Sequence, residues 1–289
     1  MPERLSQMPR DDGLFGPGSV TWRVHASPAM LIGGMRALLI QSLHPLAMAG
    51  VAQHSDYRTR GLYRLRRTTQ YVLTVTYGDT EAAEAAGAQV RSVHQHIQGL
   101  DPVTGRNYSA DDPETLLWVH CAEVHSFYTA YRAYGGALTS ADRDRYFAES
   151  ARAAALVGIP KELVPASALE MRAYFARLLP SLCVSQSALE AIRFLSAPPI
   201  IRGNMRVTLS MRVASAAAIG LVPHHLRLLM GLERPWLVDA ATFASLRAAW
   251  RPLARLLELP ESEDANIARL RAFAATQPFA SARLRAKVA

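Results

Sequence analysis

The sequence predicts an all-α protein folded as a single globular domain of about ten helices. Three observations carry that expectation. β-Branched clusters such as YVLTVTY are few and flanked by helix formers, and no Asn-Gly or Asp-Gly pair separates alternating runs. Helix start and stop signals recur along most of the chain. The connections between them are short, and no Pro/Gly/Ser-rich linker divides the chain into halves.

Taken in order, a polar tail occupies residues 1–20 and the helical domain 21–289. Apolar periodicity starts at Pro28 and runs to Gly50. Within it, Gly33–Gly34 costs roughly 1 kcal/mol per glycine relative to alanine, so the pair implies a helix boundary or a close backbone approach. His44–Pro45 marks a break, because proline disfavours helix in the residue before it. Residues 57–77 and 79–99 read as two further helices, the second rich in alanine and glutamate.

Asp111–Asp112–Pro113 opens a long helix over 113–134, which Gly135–Gly136 closes. Thr139 or Ser140 caps the next, with acids in its first turns and Gly158–Ile159–Pro160 at its end. Pro165–Ala166–Ser167 starts ALEMRAYFARLL, and helices follow at 203–219, 223–231, 238–256 and 261–274.

Composition narrows the function classes. Of the 289 residues 50% are hydrophobic and 19% charged, which excludes a disordered chain and argues against a polytopic membrane protein. The longest apolar stretches, PAMLIGGMRALLI and VASAAAIGLV, are too short to span a bilayer, so stable membrane insertion is not expected. The basic, amphipathic C-terminal stretch RLRAFAATQPFASARLRAKVA leaves surface contact with anionic lipid as a lesser alternative.

The two cysteines, Cys121 and Cys183, are far apart, which excludes a disulfide framework and a cysteine-based metal site. The first residues carry charges of both signs and no apolar run, so no secretory leader is expected and the cytoplasm is the default compartment. The net charge is +8, and lysine supplies only Lys161 and Lys287 of 32 basic residues. The arginines alternate with acids, as in DRDRYFAESAR, rather than forming a dense tract, so nucleic acid is not the expected partner.

Among the nine histidines, His120 and His125 lie five apart on one helix, which turns them about 140° from each other, too far to share a metal. A di-iron site is also unsupported, since Glu123 is followed three residues later by Ser126 rather than by histidine. Val90, Val93, His94 and Ile97 stand at i, i+3, i+4 and i+7, which puts His94 on an apolar stripe and His96 on the opposite face. Such an imidazole is either a satisfied core histidine or a ligand. One helix earlier, Arg64, Arg67 and Thr68 form a polar patch at i, i+3 and i+4, either solvated or facing an anion.

The ordered motifs GGMRALLIQSLHP, AQHSDYR, RLRRT, VRSVHQHIQG, YSADDPETLLWVH, RYFAESARAAALVGIP and LVPHHLRLLMGL resemble the family that groups bacterial proteins with the rubber oxygenase (latex-clearing protein) and the fungal MpaB-type oxygenases. The resemblance runs from about Trp22 to Trp236. It implies an all-helical, globin-like domain enclosing haem b, iron protoporphyrin IX, with His94 as the metal ligand. The rubber oxygenase carries an Arg-x-x-Lys-Thr patch on the distal side; the same positions here hold Arg64, Arg67 and Thr68.

The exchange of lysine for arginine matters, because a lysine amine can lose its proton and ligate iron, whereas a guanidinium stays protonated and has no lone pair to give. The resemblance therefore implies an open or water-occupied sixth position, with Arg64, Arg67 and Thr68 as catalytic candidates that polarise dioxygen. Arg64 and Arg91 are candidates for holding haem propionates. His54 is a further cofactor-binding candidate, otherwise a pocket residue beside Asp56 and Tyr57. No position matches the rubber oxygenase's catalytic glutamate.

The implied function is a haem b-dependent oxygenase or oxidase that acts on a small or medium apolar substrate with dioxygen bound at a His-ligated iron. Alkene cleavage, hydroxylation and dehydrogenation all fit such a site, an electron donor is an added partner, and the assembly is a monomer or homodimer. Two alternatives are a non-catalytic haem-binding or gas-sensing protein and a basic helical DNA-binding regulator.

Overall fold

A computed structural model describes residues 11–201, 203–256 and 262–278 of the chain. Thirteen α-helices and one two-stranded hairpin make up the regular structure among these residues. The helices are α1 (Val20–Ala26), α2 (Met30–Gln41), α3 (Pro45–His54), α4 (Tyr57–Tyr77), α5 (Thr80–His94), α6 (Pro113–Ala130), α7 (Ser140–Leu156), α8 (Ala168–Leu178), α9 (Gln186–Ser196), α10 (Met205–Leu221), α11 (His224–Met230), α12 (Trp236–Leu256) and α13 (Glu263–Ala275). The expected single domain, all-α, is what the chain forms.

The capping signals work as local chemistry predicts. Asp79 accepts from the Ala82 amide at the start of α5, Asp112 from Thr115 at α6 and Thr139 from Asp142 at α7. His44 is extended, as a residue before proline should be, and its Nδ1 accepts the Ala47 amide, so the expected helix 28–50 becomes α2 and α3.

α2 and α6 form the centre of the core. Met35, Leu39 and Ile40 of α2 meet Leu117, Trp118, Cys121 and Phe127 of α6, all buried. Gly33 explains the close approach: a β-carbon there would stand 2.7 Å from Phe127 Cδ1. Arg36 is fully buried at the same interface, donating to Ser126 Oγ at 2.7 Å and to the Leu221 carbonyl at 3.0 Å.

Three features depart from the sequence expectation. Residues 95–99 do not continue α5: Gln98–Leu100 pairs antiparallel with Asn107–Ser109 in a short hairpin whose turn is organised by the Asp101 carboxylate. α1 and α9 are additional helices. The first is VTWRVHA, whose β-branched residues suppress the helical signal, although Ser19 caps it. Residues 11–19 of the expected polar tail are docked on the helices: Asp11 accepts from Thr80, Arg152 donates to the Leu14 carbonyl, and Asp12 pairs with Arg271.

Among the described residues no single helix is long and apolar enough to cross a membrane; α10 and α11 pass only as a pair bent by 117°. The end of the basic C-terminal stretch, residues 279–289, lies outside the described residues, as do residues 1–10 of the tail.

Candidate functional site

A cleft of about 150 Å³ opens where α2, α3, α4, α9 and α10 meet. Its walls are mostly apolar: Met35 and Leu38 from α2, Met48 and Val51 from α3, Leu65 from α4, Phe194 and Leu195 from α9, and Met211 from α10. Gly61 makes room for the Phe194 ring, since a β-carbon there would lie 2.8 Å from Phe194 Cζ. α4 is kinked just before, at Arg60 (φ −125°, ψ 32°). Its first turn is fastened to α9 by Arg58, which bonds Glu190 at 2.7 Å, and by the Tyr57 hydroxyl, which donates to the same carboxylate at 3.2 Å.

Two of the polar residues singled out in the sequence, Arg64 and Thr68, line this cleft one turn apart on α4. Arg64 is half-buried, burial lowers its pKa, and it donates to Ser55 Oγ. No carboxylate pairs with it among the described residues. Thr68 donates to the Arg64 carbonyl at 3.2 Å. Arg67 lies on an exposed part of the same helix and is not part of the lining.

His94 is the last residue of α5 and stands outside the lining, within electrostatic reach of Arg64. It is half-buried, and its Nδ1 is shielded from solvent without a hydrogen-bond partner. Burial lowers its pKa, Asp111 opposes that and the Arg64 guanidinium adds to it. The result is a neutral imidazole with one nitrogen left unsatisfied among the described residues. His96, exposed, turns Nδ1 to the Ser92 carbonyl at 2.7 Å, as the stripe predicts.

The remaining candidates lie elsewhere. His54 is exposed and serves the hairpin: its Nε2 meets the Gln98 carbonyl at 3.1 Å and its ring edge the Tyr108 ring. Arg91 donates to the Leu156 carbonyl at the end of α7, a favourable place for a cation, and its charge also acts on Tyr71. His120 and His125 diverge as their spacing requires, one toward Ser150 of α7 and the other toward Arg36 of α2. Among the described residues no group of three metal-ligating side chains converges.

Sequence reasoning missed a second polar group beside the cleft. Tyr71 lies one turn beyond Thr68 on α4, and Glu123 one turn beyond the lining residue Val119 on α6. Glu123 acts on both Tyr71 and Tyr146, and burial pushes its carboxyl up to about 7. His120, one turn before Glu123, meets Ser150 Oγ at 3.2 Å. That hydroxyl donates to the Phe147 carbonyl, which assigns the His120 proton to Nε2 and a lone pair to Nδ1. Burial holds the His120 pKa down to about 4. The i, i+4 spacing of Val119 and Glu123 was the available signal, but only the fold brings the acid within electrostatic reach of Tyr71 and Tyr146.

Residues 22–256 match the model of the family described as "ER-bound oxygenase mpaB/B'/Rubber oxygenase, catalytic domain". Among solved structures the chain is similar to latex clearing protein LCP in the closed state, with a TM-score of 0.58 and 16% identity over 96% of this chain and 78% of that one. At that identity the likeness speaks for the fold. No curated protein matches the sequence. With the family match spanning most of the chain and the fold agreeing, the protein belongs to the MpaB/rubber oxygenase catalytic-domain family, a family of oxygenases.

Proposed function

We propose that the protein is a haem b-dependent oxygenase that uses dioxygen on a small or medium apolar organic substrate. The observation that carries this reading is His94, a neutral imidazole with a buried nitrogen that no group among the described residues satisfies, set beside an apolar cleft. Buried polar atoms of folded proteins are nearly always partnered, so an orphan of this kind fits a missing ligand. A neutral imidazole is also the form that coordinates iron.

When bound, haem would supply the redox-active iron at which dioxygen is activated. His94 would hold that iron, and Arg67, which is exposed, and Arg91, which would first have to release the Leu156 carbonyl, would be the candidates for the haem carboxylates. The Arg64 guanidinium presents N–H donors to polar atoms entering the cleft, and the Thr68 hydroxyl, whose proton goes to the Arg64 carbonyl, offers them lone pairs. The walls formed by Leu38, Met48, Phe194 and Met211 exclude water and bind apolar surface. Glu123, whose carboxyl burial pushes up to about 7, can hold or release a proton at its Oε atoms within electrostatic reach of Tyr71.

Haemin titration tests the reading. The wild type is expected to bind one haem per chain with growth of a Soret band. His94→Ala should lose most of that band and recover part of it when imidazole is added. Equal uptake by both proteins would overturn the assignment of His94.

A further inference from the structure

The cleft has one feature that a purely apolar substrate does not explain. Arg64, which carries a permanent charge, lines a cleft otherwise made largely of Leu38, Met48, Val51, Phe194 and Met211. Desolvating a cation in such surroundings is costly unless an anion compensates. None is supplied among the described residues, where the hydrogen bond that Arg64 donates goes to the neutral Ser55 hydroxyl. Glu190, the acid on the cleft's own wall helix, is already taken by Arg58 and Tyr57. Five N–H donors in a planar fork match the two oxygens of a carboxylate, and most of them are unspent.

We propose that the natural substrate is an apolar molecule bearing a single carboxylate, with Arg64 gripping the carboxylate and the apolar walls taking the chain. The inference rests on reading this cleft as the oxygenase's substrate site. The other source of the same chemistry is a haem carboxylate, but Arg64 lines the cleft, whereas Arg67 and Arg91 stand outside it.

The test compares octanoate with octan-1-ol by calorimetric titration, on haem-free and haem-loaded protein, for the wild type, Arg64→Gln, Arg64→Lys and Arg66→Gln. Arg66 is exposed on the same helix and controls for general attraction to a basic surface. The expected result is at least tenfold tighter binding of octanoate than octanol by the wild type in both states. Arg64→Gln should remove that preference while keeping octanol affinity, Arg64→Lys should retain part of it, and Arg66→Gln should match the wild type.

Equal affinities in the wild type, or a preference that survives Arg64→Gln, would overturn the proposal. A preference present without haem and lost on loading would overturn it in favour of a haem carboxylate as the partner of Arg64. If the protein takes up no haem, the haem reading fails, while the haem-free comparison still decides whether the cleft selects carboxylates.

Discussion

Gly33 of α2 presses against Phe127 of α6: a β-carbon at position 33 would stand 2.7 Å from the ring's Cδ1 and 3.0 Å from the Phe127 Cα. Part of the obstacle is backbone, which cannot rotate away. At the neighbouring Gly34 the nearest atom would be 4.0 Å distant. The glycine pair is therefore one essential residue and one dispensable one.

Opposite effects are expected from the same substitution at these two positions. Gly33→Ala should destabilise the protein by about 1–3 kcal/mol through overpacking, despite alanine's better helix propensity. Gly34→Ala should stabilise it by roughly 0.5–1 kcal/mol. Urea unfolding of both variants checks this, and a stabilising Gly33→Ala would contradict the described packing.

Glu123 makes stability depend on pH in a defined direction. Burial raises its folded pKa to about 7 from 4.5, so the folded state binds a proton that the unfolded state has released. Stability from this group is present below about 4.5 and is lost as pH rises through 7. Glu123→Gln removes the loss. The variant should match the wild type near pH 4.5 and exceed it by about 1–3 kcal/mol at pH 8. A difference independent of pH would show that the carboxyl is not buried as described.

Three histidines act in the other direction. Burial holds His25, His120 and His125 down to about 3, 4 and 3, with Arg36 and Arg132 adding to the effect on His125. Each is neutral in the fold but takes a proton in the unfolded chain below 6.5, so stability falls as pH drops from there toward 4. Roughly 1 kcal/mol per histidine should be lost between pH 7 and pH 5.5. Replacing His125 with glutamine should flatten the profile by one such share, and an unchanged profile would argue against its burial.

How far the site could be read from sequence depends on whether its partners are local. His94 was singled out by the helical spacing of Val90, Val93, His94 and Ile97, although α5 ends at His94 and Val93 is exposed, and Arg64 and Thr68 because they sit one turn apart. Only the fold shows that Arg64 lines an apolar cleft without an acid, since that depends on α3, α9 and α10. Glu123 and Tyr71 come from different helices, so no spacing rule joins them. His54 was mistaken for a pocket residue because the hairpin that engages it was not foreseen: its turn runs from Asp101 to Arg106, not through a two-residue Asn-Gly. α9 was legible, with Ser185 as its cap and Ala188, Ala191, Ile192 and Leu195 on one face.

Oxidised, dithionite-reduced and carbon-monoxide-treated absorption spectra of the protein, produced with added haem precursor and compared with His94→Ala, test the central claim most directly. The account predicts a Soret band in the wild type that shifts on reduction with carbon monoxide, as a histidine-held haem with an open sixth position requires, and a band largely lost in the variant. A colourless wild type that takes up no haem, or a Soret band unaffected by His94→Ala, would contradict it.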